Sequence, residues 1–188
     1  MDSARLRPLL LLLAFASLAA SLWLVRTAGL PQRADYTGFA IGALYFAPEL
    51  DALAPPFTAP SINGDAIDLL ALRGGPVIVN FWATWCAPCR AEMLELETLF
   101  RRDNGHGLRV IGVNLQEPRQ AVAAWVDTLG LTFDIALDDD GAIAARYQLR
   151  GQPSTYVIAP NGVITAIFYG PTTAERLRRA ITPYLAET

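Results

Sequence analysis

The chain contains two cysteines, Cys86 and Cys89, which lie three residues apart in a Trp-Cys-Ala-Pro-Cys run. An apolar strand pattern over residues 76–82 precedes them, and a helix pattern covers residues 86–102. Cys86 therefore opens a helix, where free backbone N–H groups and the helix dipole lower a thiol's pKa from ~8.5 to roughly 3.5–7.5. Cys89 lies one turn later on the same face and can form a disulfide with Cys86. The spacing predicts a redox pair in which Cys86 attacks and Cys89 resolves.

Other uses of a cysteine pair fit this sequence less well. A zinc site needs about four ligands, and beyond the cysteines the chain offers one histidine, His106, in a glycine-rich segment. Covalent haem attachment needs a histidine directly after the second cysteine, where the chain has Arg90. A purely structural disulfide across three residues closes too short a loop to stabilise the fold much. We therefore expect no metal, and no cofactor beyond the redox-active disulfide itself.

Composition argues against two further classes of function. The 188 residues carry a net charge of −3 and no clustered basic stretch, which argues against a nucleic-acid partner. All fifteen basic residues are arginine, so the chain has no lysine for Schiff-base or lysine-base chemistry.

An almost unbroken apolar run occupies residues 8–25, with arginines at both ends. Its length is just sufficient to span a membrane, which takes ~20 residues. The alternative is a secretory signal cleaved near residues 17–19, but the apolar run continues past that site and includes an interface-type tryptophan. We favour a retained transmembrane anchor over residues 1–26, followed by a connector over residues 27–55 and a domain over residues 56–188.

The flanking arginines give only a weak charge bias, but the usual orientation of a first helix places the domain outside the cytoplasm. We therefore expect a single-pass protein of the cell membrane with an extracytoplasmic domain. The connector carries Tyr36, Phe39, Tyr45 and Phe46. Two placements fit these aromatic residues, at the membrane interface or packed on the domain.

Strand and helix patterns alternate along the domain. A short hairpin is predicted around Asn63-Gly64, and a helix over residues 143–147 is predicted to be capped by Asp140. The remaining patterns predict strands over residues 76–82, 108–114, 133–137, 154–158 and 163–169, and helices over residues 86–102, 118–129 and 173–185. Alternation implies parallel early strands joined by right-handed crossovers, and the closing hairpin adds antiparallel strands. The expected fold is a three-layer α/β fold with a mixed central sheet.

Two motifs resemble those of the TlpA/ResA-type membrane-anchored thioredoxin-like proteins. One is the strand end at residues 80–85 with the cysteine pair that follows, and the other is Gly-Gln-Pro-Ser-Thr-Tyr at residues 151–156. The resemblance covers roughly residues 55 to 185. It implies a thioredoxin-like fold with an N-terminal β-hairpin and an inserted αβ unit at about residues 118–137.

The resemblance also suggests a role for Pro153. A proline that begins a strand cannot donate to the ladder, so it must lie at the strand entrance. In the family this position is a cis proline that faces the cysteine pair, and the alternative is an ordinary trans proline at the end of a loop. We expect Gln152 to offer its backbone to an extended substrate segment.

Glu92 is the candidate proton acceptor. It lies three residues after Cys89 and shares its helical face, and family members carry a functional glutamate at this place. The alternative is a solvent-facing glutamate. Asn80 stands where cytoplasmic thioredoxin has a buried aspartate, which is consistent with a proton acceptor moved to Glu92. Trp85 is expected to shield the disulfide and meet partners, and Pro88 to restrain the helix start and tune the disulfide.

The sequence thus predicts a thiol–disulfide oxidoreductase that acts on protein thiols or disulfides, as a reductant. By resemblance, a membrane electron-transfer protein re-reduces it, and its substrates include apocytochrome c. One alternative is a peroxiredoxin-like thiol peroxidase, but Thr84 precedes Cys86 by two residues, whereas peroxiredoxins have a Thr-x-x-Cys spacing. The other alternative is a redox-inert binding module on the same fold.

Overall fold

The computed structural model describes residues 3–28, 38–42 and 44–186. The chain divides into two compact units, residues 1–36 and 37–188. The first unit contains helix α1 (Ser3–Ala28), in which Leu10–Thr27 has a mean hydropathy of 1.8 and is apolar enough to cross a membrane. No other described helix meets that criterion of length and composition.

The second unit holds nine strands and four α-helices among its described residues. The strands are β1 (Phe39–Ile41), β2 (Leu44–Phe46), β3 (Thr58–Pro60), β4 (Ala66–Asp68), β5 (Val77–Trp82), β6 (Arg109–Leu115), β7 (Asp134–Asp138), β8 (Ser154–Ile158) and β9 (Ile164–Tyr169). The helices are α2 (Ala87–Asp103), α3 (Arg119–Leu129), α4 (Ala142–Arg146) and α5 (Ala174–Ile181). The predicted element order from the hairpin onward is confirmed.

A five-stranded sheet in the order β7-β6-β5-β8-β9 forms the centre of this unit. Strands β5, β6 and β7 are parallel, whereas β8 is antiparallel to β5 and β9 is antiparallel to β8. The mixed sheet is therefore confirmed, and so is the predicted hairpin, in which β3 pairs with β4. Because β8 runs against β5, the start of β8 lies at the end of β5 that leads into the cysteine run.

Strand β5 is buried over its whole length and separates two apolar clusters. On one face Ile78 and Trp82 pack with residues of α2, α3 and α5. On the other face Val79 and Phe81 pack with the hairpin and with the α4 region. A strand buried on both faces needs the continuous apolar run that the sequence has here. The three-layer arrangement follows from these two clusters.

In the first of these clusters, the side chains of Trp82 and Ile135 lie so close to the backbone of β6 at Gly112 that only glycine fits there. A Cβ atom at this position would lie 2.9 Å from Nε1 of Trp82 and 3.0 Å from Cδ1 of Ile135. Glycine therefore leaves room for the Trp82 indole, which stacks on Trp125 at 4.6 Å between ring centroids.

The sequence did not reveal the hairpin formed by β1 and β2. Its strands have three residues each, too few to show a period. Phe46 is buried and stacks on Phe39 at 5.8 Å, whereas Tyr45 is exposed, and Tyr36 lies outside the described residues. The following residues run beside the start of β9, since the Asp51 amide donates to the Ile164 carbonyl at 2.9 Å and the Ile164 amide donates to the Ala52 carbonyl at 2.9 Å.

Two helix ends differ in detail from the predictions. Asp140 does accept a hydrogen bond from the Ala142 amide, but Asp138 caps α4 more fully, with its two carboxylate oxygens accepting from the next two amides at 3.0 and 2.8 Å. Helix α5 stops at Ile181 and continues as a short 3₁₀ turn, because Pro183 cannot donate to the helical ladder.

Candidate active site

Cys86 and Cys89 form a disulfide, with their Cα atoms 5.3 Å apart. Cys86 is the N-cap of α2 in an extended conformation, and its Sγ accepts a hydrogen bond from the Cys89 amide at 3.3 Å. Its own amide donates to the Ala83 carbonyl at 3.2 Å, which closes the turn between β5 and α2. The predicted placement of Cys86 at a helix N-terminus is confirmed, and the same amides are available to a thiolate after reduction.

The two cysteine residues differ in access to solvent. Cys86 is 6% exposed and Cys89 is fully buried. Cys86 is therefore the cysteine of the pair that has contact with solvent. This asymmetry suits an attacking and a resolving cysteine, in the order that the sequence predicted.

The two tryptophans of this region have different surroundings. Trp82 is buried in its stack with Trp125, whereas Trp85 is 70% exposed beside the disulfide. Pro88, in the first turn of α2, is also exposed. Trp85 and Pro88 thus form part of the solvent-facing surface next to Cys86, a setting in which an amphipathic indole is available to a partner.

The peptide bond between Gln152 and Pro153 is cis, as predicted. Ser154, the next residue, is the register partner of Phe81 near the end of β5, so Pro153 enters the sheet at the end that carries the cysteine turn. The Pro153 carbonyl is used within the fold, accepting from the Gly170 amide at 2.9 Å. Within the described part of the chain, the backbone of Gln152 takes part in no hydrogen bond. It is available for strand-like pairing with another chain.

Glu92 lies on the buried face of α2, which excludes the solvent-facing alternative. Its side chain is 1% exposed, and its Oε1 accepts a hydrogen bond from the Thr155 hydroxyl at 2.7 Å. The Thr155 hydroxyl in turn accepts from Nδ2 of Asn80 at 2.8 Å. Burial raises the pKa of Glu92 to about 7, against the opposing effect of hydrogen bonds led by Thr155. A carboxyl group with this pKa can exchange a proton near neutral pH.

Sequence reasoning missed Glu117, which contacts the turn before Cys86. Its Oε1 accepts from the Thr84 hydroxyl at 2.5 Å, and its Oε2 accepts from the Thr84 amide at 2.7 Å. The Thr84 hydroxyl, considered above in the peroxidase alternative, is thus bound to a carboxylate. Thr84 and Glu117 are 33 residues apart, and only the pairing of β5 with β6 brings them together.

The described His, Cys, Asp and Glu side chains form no metal-type cluster around this site. Over the residues that the structure describes, no group of three or more His, Cys, Asp or Glu side chains is placed to hold a metal ion.

Comparisons with known proteins agree with this geometry. Residues 50–167 match the AhpC/TSA family. Thiol-disulfide oxidoreductase ResA of Oceanobacillus iheyensis is 35% identical over 128 residues, covering 66% of this chain and 67% of that protein. Thioredoxin-like protein YneN of Bacillus subtilis is 34% identical over 153 residues, covering 78% of this chain and 89% of that protein.

A solved structure supports the same assignment. The crystal structure of a putative thiol:disulfide interchange protein DsbE from Chlorobium tepidum superposes with a TM-score of 0.67 at 26% identity, covering 72% of this chain and 96% of that one. The Cys-x-x-Cys disulfide at the start of α2 gives the chain the residues that such chemistry requires. The chain therefore belongs to the AhpC/TSA family of thioredoxin-like proteins and is a thiol–disulfide oxidoreductase of the ResA type.

Proposed function

We propose that this oxidoreductase reduces disulfides in exported proteins, with Cys86 as nucleophile, Cys89 as resolving cysteine and Glu92 as proton acceptor. The observation that carries the proposal is the disulfide at the N-terminus of α2, with Cys86 slightly exposed and Cys89 fully buried. A pair arranged in this way reacts with external sulfur through one atom only.

The reaction begins from the reduced pair. The Cys86 thiolate, stabilised by the α2 amides, attacks one sulfur of a substrate disulfide. A bond forms between Cys86 and that sulfur, the substrate S–S bond breaks, and the second substrate sulfur leaves as a thiolate that takes a proton from water.

The second step releases the substrate. The buried Cys89 thiol gives its proton to the Glu92 carboxylate, and the resulting thiolate attacks Cys86 Sγ. The Cys86–Cys89 disulfide forms, the mixed disulfide breaks, and the substrate leaves with its second thiolate. Two electrons have passed from the enzyme to the substrate, and the enzyme has the oxidised form seen in the structure.

Substrate contacts are assigned to the surface around Cys86. The free backbone of Gln152 pairs with an extended substrate segment, next to the cis Pro153. Exposed Trp85 and Pro88 supply apolar contact on the side of α2. Backbone pairing with apolar contact suits an unfolded segment that contains cystine.

The cellular setting is part of the same proposal. Helix α1 is long and apolar enough to act as a single-pass anchor, with the catalytic domain outside the cytoplasm. Each turnover leaves a disulfide, so a membrane electron-donor protein must reduce it again. Following the resemblance to TlpA/ResA-type proteins, we extend the substrates to apocytochrome c.

The proposal is tested with the full chain in detergent, reduced beforehand and mixed with a disulfide-containing protein or with hydrogen peroxide. We expect rapid reduction of the protein disulfide, loss of that activity in Cys86→Ser, and accumulation of a mixed disulfide in Cys89→Ser. Fast peroxide turnover by Cys89→Ser would favour the peroxidase alternative. Retained cellular function in Cys86→Ala would favour the binding module.

The direction of electron flow is checked by the redox potential of the pair against glutathione. A reductant is expected nearer to thioredoxin, at roughly −270 mV, than to the oxidant DsbA, at roughly −120 mV. A potential near the second value would overturn the reductant assignment while leaving the exchange chemistry intact.

A further inference from the structure

The loop between β6 and α3 holds a carboxylate that the reaction scheme above does not use. Glu117 accepts three hydrogen bonds, from the amide and the hydroxyl of Thr84 at 2.7 and 2.5 Å and from Nδ2 of Asn114 at 2.7 Å. All three donors are uncharged, and among the described residues Glu117 takes part in no ion pair. Asn114 is fully buried at the end of β6, where it is the register partner of Trp82. Glu117 therefore ties the end of β6 to the segment that follows β5.

The backbone on both sides of Glu117 directs it towards Thr84. Gln116 has a left-handed conformation with φ of 55°, which is unfavourable for a residue other than glycine. Its amide is held by the Asp138 carbonyl at 3.2 Å. Pro118 restricts Glu117 to extended conformations and is the N-cap of α3. The chain thus maintains an unfavourable local geometry at the point where the Glu117 side chain returns to the cysteine turn.

Thr84 lies in the turn that delivers Cys86 to the helix. Apart from the Thr84 contacts, the only backbone hydrogen bond closing this turn within the described chain joins the Cys86 amide to the Ala83 carbonyl. The carboxylate of Glu117 binds Thr84 through both of its oxygens, which fixes the orientation of the peptide as well as its position. Rotation of this turn would move Cys86 Sγ away from the Cys89 amide that it contacts at 3.3 Å.

We propose that Glu117 is a positioning residue for Cys86, acting through Thr84. This inference rests on the proposed role of Cys86 as nucleophile. Disulfide exchange requires the attacking sulfur to approach along the substrate S–S bond, and small misplacement of a reacting group slows a reaction strongly. Glu117 holds the Cys86 sulfur at the N-terminus of α2 before the substrate arrives. The α2 amides then stabilise the thiolate, and the fixed turn orients it for attack.

The test uses full-length chains in detergent that all carry Cys89→Ser, so that only Cys86 reacts. The rate of reaction with a small aromatic disulfide is measured against pH for Glu117→Gln, Thr84→Val and Thr84→Ser. We expect the plateau rate at high pH to fall roughly ten-fold in Glu117→Gln and in Thr84→Val. Thr84→Ser keeps both donors and is expected to react at the parent rate. The double variant Glu117→Gln with Thr84→Val should lose no more than the worse single variant, because both act through one contact.

Three results would overturn the inference. They are parent plateau rates in both Glu117→Gln and Thr84→Val, equal losses in Thr84→Ser and Thr84→Val, or losses that multiply fully in the double variant. A role in stability alone would lower the unfolding midpoint without changing the plateau rate. If Glu117→Gln fails to fold, the two Thr84 variants decide the question. Failure of the parent Cys89→Ser chain to react would instead contradict the role of Cys86.

Discussion

Two glutamates on α2 differ sharply, although both are buried. Glu92 is 1% exposed and Glu97, five residues later, is 6% exposed. Burial raises the pKa of Glu92 to about 7. For Glu97 burial acts in the same direction, but hydrogen bonds from Thr132 and Arg101, together with the charge of Arg101, outweigh it and lower the pKa. Burial alone therefore does not determine which of the two carboxyl groups can exchange a proton.

The partners of each carboxylate account for the difference. Glu97 forms an ion pair with Arg101 and accepts from the amide and the hydroxyl of Thr132 at 2.8 and 2.7 Å. Glu92 accepts a hydrogen bond from the Thr155 hydroxyl, and the other groups that lower its pKa, the Asn80 side chain and the Thr172 backbone, are also uncharged. Within the described chain no cation pairs with it. A carboxylate with a cation and several donors stays ionised and joins two segments, here α2 and the residues before β7. A carboxylate with neutral partners titrates instead.

Glu92 and Glu97 are expected to differ most in how each affects the pH dependence of the free energy of unfolding. The pKa of Glu92 is 4.5 in the unfolded chain and about 7 in the folded protein. The folded protein therefore binds this proton more tightly, and the stability that the proton contributes is complete below pH 4.5. That contribution is lost as the pH rises through about 7. At ~1.4 kcal/mol per unit, Glu92→Gln should therefore raise the free energy of unfolding by about 3 kcal/mol at pH 8 and change it little at pH 4. Urea titration of the oxidised chain in detergent, followed by near-ultraviolet circular dichroism, measures this difference.

Glu97→Gln is the matched control for that experiment. The lowered pKa of Glu97 contributes stability above its unfolded value of 4.5, and this is lost as the pH falls through the folded value. The same substitution at this position should therefore destabilise the protein at pH 8, and the loss should shrink in acid. Equal responses of the two variants at both pH values would show that burial, and not the partners, sets the behaviour.

The release step gives the second test of the contrast. If Glu92 accepts the Cys89 proton, Glu92→Gln should slow release from the mixed disulfide by about a hundred-fold at pH 8 and leave the first attack by Cys86 nearly unchanged. The rise of the wild-type release rate through about pH 7 should disappear as well. Stopped-flow measurement of both steps, with Glu97→Gln expected to match the wild type, checks this. Equal slowing of both steps would contradict the proton-acceptor role.

The contrast also bears on how much the sequence could predict. The order of elements, the mixed sheet, Cys86 at the start of α2 and the cis Pro153 all follow from local patterns or from a specific motif. Glu92 was identified by its spacing from Cys89. None of these conclusions requires knowledge of which distant segments meet.

Features that depend on distant contacts could not be read in the same way. Thr155 lies 63 residues from Glu92, and Glu117 lies 33 residues from Thr84. Periodicity reports burial along one element, but it does not identify the neighbour across the sheet. Glu92 and Glu97 both belong to an amphipathic helix pattern, so their opposite pKa shifts emerge only once the strands are paired.

The smallest expected effect comes from changing the hydrogen-bond donor that lowers the pKa of Glu92 most. The Thr155 hydroxyl stabilises the Glu92 carboxylate at 2.7 Å, so Thr155→Val should raise the pKa of Glu92 further. The midpoint of the release-rate profile should move up by about one pH unit, which corresponds to one hydrogen bond to a charged group. Thr155→Ser keeps the hydroxyl and should retain the wild-type midpoint. The Asn80 side chain donates to this hydroxyl at 2.8 Å from Nδ2, and the serine hydroxyl can accept the same hydrogen bond. An unchanged midpoint in Thr155→Val would mean that this hydroxyl does not limit the titration of Glu92, and the contrast with Glu97 would then depend on the Thr132 amide and Arg101.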